Sequence, residues 1–148
     1  MTSLEKLHQM IFDADIDIVY ADFNSNKKSM CFYEEGYKGI GVDKASTSDP
    51  TMEHVLLAEE MGHFETGALY HIGADANSAV QKSNRRKHEL RAKSWAFFKI
   101  IPPENIQKII SDGYHTPQEI AEHCNVPVEF LCEAMAFYEK KGVQFKLR

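Results

Sequence analysis

Between Ser3 and Phe12 the apolar residues Leu4, Leu7, Ile11 and Phe12 recur at helical spacing and predict a short amphipathic helix. The period then changes. Asp17 to Tyr20, Met30 to Tyr33 and Gly39 to Val42 are short runs with β-branched or aromatic residues, parted by turn formers at Asn24-Ser25-Asn26 and Glu35-Gly36-Tyr37. They predict three strands of a small antiparallel sheet. From Asp49 the pattern is helical again. Asp49 can cap a helix that opens on Pro50, where a missing N–H does no harm, and that runs to about His63 or Phe64 and ends near Gly67. A polar stretch from Gly73 to Ser78 reads as a loop. A long helix from about Ala79 to Ile100 follows, stopped by Pro102-Pro103. The remainder reads as three short helices, the middle one opened by Thr116 and Glu119 in capping-box spacing. A sheet edge on a helical body gives an α+β class, with residues 1–102 as the main domain and 103–148 as a helical extension on the same core.

Length and composition narrow the function classes. At 148 residues, 43% hydrophobic and 26% charged, the chain is one domain long and can build a core without staples. Cys31, Cys124 and Cys132 form an odd, scattered set without CxxC spacing, so free, mostly buried thiols in a reducing compartment are expected. The first residues lack the basic-then-apolar order of a signal peptide, and no apolar run is long enough to span a bilayer. A cytoplasmic location is expected. The net charge of −5 argues against general nucleic-acid affinity.

The candidate chemistry lies where polar residues interrupt apolar stripes. Met52, Leu56, Glu59 and His63 fall at steps of four, three and four, and Glu60 lies one turn from Leu56. Two carboxylates and an imidazole therefore continue a stripe whose first half is apolar. Burying ionised carboxylates without partners is costly, so they face a cleft or a cation. On the second long helix Glu89 shares a stripe with Ala92, Ala96 and Ile100, flanked by Trp95. Two antiparallel helices carrying Glu59, His63 and Glu89 inward can hold one divalent ion with a position open to water. Glu60, beside the ligands, can then act as general base. A plainer account also fits. Glu59 and Glu60 can face water with His63 as a core histidine, while Glu89 pairs with Arg85 or Lys93 at four-residue spacing.

The segments Leu57-Ala58-Glu59-Glu60-Met61-Gly62-His63-Phe64 and Arg85-Arg86-Lys87-His88-Glu89-Leu90-Arg91-Ala92-Lys93-Ser94-Trp95-Ala96 resemble the ImmA/IrrE family of metallopeptidases. The resemblance covers most of the chain. It implies a zincin-like domain and a His-Glu-x-x-His zinc motif with an acidic ligand on the next helix. Glu60 then falls on the catalytic glutamate, His63 on the second histidine and Glu89 on the downstream ligand. It further implies cleavage of a phage-type transcriptional repressor, as an anti-repressor of prophage or mobile-element type.

One motif position departs from the family pattern: Glu59 stands where the first histidine is expected. A carboxylate can bind zinc with similar reach. Two glutamates and one histidine neutralise a divalent ion, however, so its water is acidified less, and the oxygen ligands weaken the preference for zinc over manganese. Gly67 and His71 fall one and two residues too far after the motif to match the three-histidine zincins, although a loop can bring His71 or Tyr70 to the cleft as a transition-state donor. His88 points about a quarter-turn away from Glu89.

The tail offers a different function. Thr116 to Phe137 reads as helix, turn, helix, with Ile120, Ala121, Val126, Phe130 and Leu131 as packing positions, which is compatible with a DNA-binding helix-turn-helix. From Pro103 onward, however, seven acids stand against five bases, and the second helix, Pro127 to Tyr138, carries Glu129 and Glu133 and no base. A reading helix needs arginine or lysine for phosphates, so a hairpin completing the core is the better reading. The expected function is metal-dependent proteolysis of a repressor with zinc or manganese. The alternative is a weak or inactive relative that binds a regulator, with DNA binding third.

Overall fold

A computed structural model of the chain describes residues 1–67 and 79–146. The element order is α1 (Ser3–Asp13), β1 (Asp17–Ala21), β2 (Ser29–Glu34), β3 (Tyr37–Asp43), a 3-10 turn (Lys44–Ser48), α2 (Pro50–Thr66), α3 (Ala79–Ile100), α4 (Pro103–Ser111), α5 (Pro117–Cys124) and α6 (Val128–Lys140). The class is α+β. The polar stretch 73–78, with Tyr70 and His71, lies outside the described residues.

Local chemistry sets most of the boundaries. Thr2 and Glu5 form a reciprocal capping box on α1. The Asp49 carboxylate accepts from the Thr51 N–H at 3.0 Å, Pro50 fills the first position of α2, and the helix ends at Gly67. The Thr116 hydroxyl caps α5 through the Glu119 N–H at 3.2 Å, while the Glu119 side chain accepts from the His115 N–H rather than from Thr116.

The sheet differs in part from the expectation. Its order is β1-β3-β2, and it is mixed. The β2–β3 pair is antiparallel, joined by Glu35 and Gly36 at φ +50° and +83°, the positive pair that a tight hairpin turn requires. β1 instead runs parallel to β3, with Ile18 opposite Ile40. The connection from β1 to β2 crosses the end of β3, leaving a slot that β3 fills. Asp43 holds that connection: its N–H donates to the Lys28 carbonyl at 2.7 Å and its carboxylate accepts from the Phe23 N–H at 3.1 Å.

α2 is the centre of the molecule. Nine of the ten residues from His54 to His63 are buried, because α1, the sheet and α3 all pack on it. The single apolar stripe read from the sequence is thus too narrow: a helix covered on several sides is buried nearly all round. At Gly62 the axes of α2 and α3 come close. A Cβ there would lie 2.3 Å from the Ala92 carbonyl oxygen, so only glycine fits without moving a backbone.

The tail joins the same apolar cluster. Ile106, Ile110, Ile120, Ala121, Val126, Phe130, Leu131, Ala134 and Tyr138 are buried with Leu57, Met61 and Ile101. Phe97 of α3 anchors α6, its ring centroid 5.1 Å from Phe130 and 5.6 Å from Phe137. The Tyr138 hydroxyl donates to the Ile101 carbonyl at 3.0 Å. The helix-turn-helix outline is present, but the inward face of α6 completes the core. No described helix is long and apolar enough to cross a membrane. Of the cysteines, Cys31 and Cys124 are partly buried and Cys132 is exposed, which corrects the expectation for the last.

Candidate functional site

α2 presents Glu59, Glu60 and His63, and α3 presents Glu89 and Lys93 across the close approach at Gly62. His63 is buried, and its Nε2 lies 3.5 Å from Glu89 Oε2. Glu89 reaches it from the rim, for its side chain is 58% exposed. Glu89 therefore sits at the mouth of the helix pair rather than within it.

Glu60 is buried at 8% exposure, and its Oε2 has no hydrogen-bond partner among the described residues. Burial pushes its carboxyl from the ordinary 4.5 up to about 7; His63 opposes the rise, and Glu89 and Glu59 add to it. Near neutrality Glu60 can therefore hold or release a proton, as a general base must. The reading in which Glu60 simply faces water does not fit its burial.

Glu59 has a different setting. Burial also raises it to about 7, and Lys93 is the largest opposing influence, with Glu133 and Glu89 adding to the rise. Lys93 pairs with Glu133 of α6 rather than with Glu89 one turn away. Burial works against the Lys93 ammonium, but the hydrogen bond it donates to Glu133 and the field of Glu59, Glu133 and Glu89 raise its pKa. Glu59 thus lies with two other carboxylates, Glu133 and Glu89, around a built-in ammonium, and no sequence signal placed Glu133 there. Cys31 of β2 feels Glu60 as well. Burial first, then that carboxylate, pushes its thiol up to about 12, leaving it protonated and unreactive at neutral pH.

Two ligands at about 2.1 Å in a tetrahedral zinc site stand about 3.4 Å apart. His63 and Glu89 have that spacing, and the unpartnered Glu60 oxygen fits a site with a further polar occupant. A third ligand is not brought to them: among the described residues no three of His, Cys, Asp and Glu converge to hold a metal ion. The residues present fit a metal in part, as a pair.

Comparison with curated proteins and with solved structures finds no match. A family model described as the IrrE N-terminal-like domain matches residues 13–136, a span that holds the sheet, both site helices and most of α6, and the chain belongs to that family.

Proposed function

We propose that this chain is a regulator-binding member of the IrrE-like family whose peptidase site is catalytically weak or inactive. The setting of Glu59 carries the reading. At the position where the family pattern has a metal-binding histidine stands a carboxylate, in an electrostatic cluster with Lys93, Glu133 and Glu89. An ammonium already offsets the charge that a divalent ion would neutralise, so the gain from binding one is reduced. The regulator expected from the family resemblance is a phage-type transcriptional repressor. Direct nucleic-acid binding is not part of the reading, since the inward face of α6 is in the core and α6 carries its acids ahead of its first base.

A second reading, metal-dependent proteolysis of that repressor, is favoured by the His63–Glu89 spacing and by the partnerless buried oxygen of Glu60. In it Glu59, His63 and Glu89 would hold zinc or manganese, which would supply an acidified water and a Lewis acid. Glu60 would serve there as the general base.

The test mixes the purified chain with a phage-type repressor from the same genome, in chelator or in zinc. The proposal expects a stable complex in both and an intact repressor. Zinc-dependent cleavage abolished by Glu60→Gln, with about one ion per chain lost in His63→Ala, would replace it with the second reading. Absence of any complex would sink the first.

A further inference from the structure

We propose that the exposed first half of α3, centred on Arg86, Lys87, Leu90 and Arg91, is a docking surface for an acidic protein segment bearing an apolar anchor residue. The inference rests on the regulator-binding reading and says where on the chain the regulator is held. The first observation is charge segregation. α3 carries seven lysines and arginines against one acid, Glu89. The helix thus holds +6 in a chain whose total is −5, leaving −11 on everything else.

The second observation is shape. From Ser83 to Arg91 every residue is exposed except His88, which is half-buried, and burial resumes only at Ala92. Apart from His88 and the contact of Glu89 with His63, the side chains of this stretch face solvent. Leu90 is 56% exposed in the middle of the basic cluster. An apolar side chain rimmed by charge is the pattern of a binding hot spot, in which the rim selects the partner and the centre excludes water.

The third observation is that the charges are placed against the helix's own interest. The first turn of α3 has no acid to complement the helix dipole. Lys87 and Arg91 are like charges one turn apart. Among the described residues neither they nor Arg86 form an ion pair. Local rules broken in this way are expected where function compensates, and an acidic partner relieves all of these conflicts together. Nucleic acid would meet the same charges, but Leu90 has no role against phosphate, and the strongly negative remainder repels a long polyanion. The surface also borders the candidate site, because Glu89 on the same stretch lies 3.5 Å from His63. A segment docked here lies near the site carboxylates Glu59 and Glu60 of α2.

The test uses the full chain and a short fluorescent peptide with glutamates at helical spacing around one leucine, read by anisotropy across a salt series. A random-sequence DNA duplex is the comparison probe. The expected result is salt-sensitive peptide binding that falls about tenfold in Arg86→Glu/Lys87→Glu and about fivefold in Leu90→Ser. Serine in place of the peptide's leucine should weaken binding to the same degree as Leu90→Ser. Circular dichroism checks that both variants are folded, and their exposed positions favour that. No binding, binding that ignores both leucines, or tighter binding of the duplex overturns the proposal. The repressor separates the two claims. If it binds wild type and the charge-reversed variant equally, the surface is wrong and the regulator-binding reading stands. If it fails to bind wild type while the peptide binds and responds as above, the surface stands and that reading falls.

Discussion

Glu60→Gln isolates the cost of burying one carboxylate at the centre of the molecule. The side chain is 8% exposed, its Oε2 has no hydrogen-bond partner among the described residues, and burial raises its pKa from 4.5 to about 7. The folded state therefore holds the proton more tightly than the unfolded chain. Glu60 contributes stability that is fully present below the unfolded value and is lost as pH rises through about 7. The interval corresponds to about 3 kcal/mol, at roughly 1.4 kcal/mol per pH unit. Glutamine keeps the shape and never ionises. At about pH 8 the variant should be the more stable by about 3 kcal/mol, a rise in Tm of roughly 6–12 °C for a chain of this size. At about pH 4 the two should be nearly equal. Part of the gain will pass through Glu59, which titrates in the same range and is relieved when its neighbour is neutral. Urea unfolding of both proteins across this range, in chelator, measures the difference directly. A difference independent of pH, or a variant that is less stable at high pH, would show that the carboxylate has a partner that its charge requires, and the argument from burial would fail.

Three further outcomes are expected. Gly62→Ala places a methyl 2.3 Å from the Ala92 carbonyl oxygen, a backbone atom that cannot swing aside; it should cost about 2–3 kcal/mol, and an unchanged melting temperature would refute the close approach of α2 and α3. Glu59→His removes one carboxylate from the cluster around Lys93 and restores the family's histidine. Competition titration should show zinc affinity rising relative to manganese, whereas a fall would mean that Glu59 serves another role. His54 is buried, with Nδ1 3.1 Å from the Asn125 carbonyl and Nε2 2.9 Å from the Ser3 hydroxyl. A carbonyl only accepts, so Nδ1 carries the proton and Nε2 accepts from Ser3. Burial lowers the pKa of His54, so the unfolded chain binds its proton more tightly and stability should fall as pH drops below 6.5. His54→Gln should lose about 1–2 kcal/mol at neutral pH but flatten that acid slope, and a slope unchanged in the variant would assign it elsewhere.

Much of this protein was legible from sequence because the deciding forces act over a few residues. Asp49 followed by Pro50 starts α2, Gly67 ends it, Pro102-Pro103 separates α3 from α4, and Thr116 starts α5, each through caps or backbone limits within one turn. The buried positions Ile120, Ala121, Val126, Phe130 and Leu131 followed from helical periodicity, and the family followed from the motif. The tertiary structure alone decided what depends on remote partners. The parallel pairing of β1 with β3 depends on how the connection to β2 crosses the sheet, which strand composition does not encode. Lys93 was within reach of Glu89 along its own helix, yet it pairs with Glu133, brought there by the docking of α6 on Phe97. The same assembly surrounds α2, burying Glu60 and raising its pKa, and places Glu59 in the field of an ammonium. Periodicity can assign a residue to a face, but the charge and solvent it meets there come from elements distant in the chain.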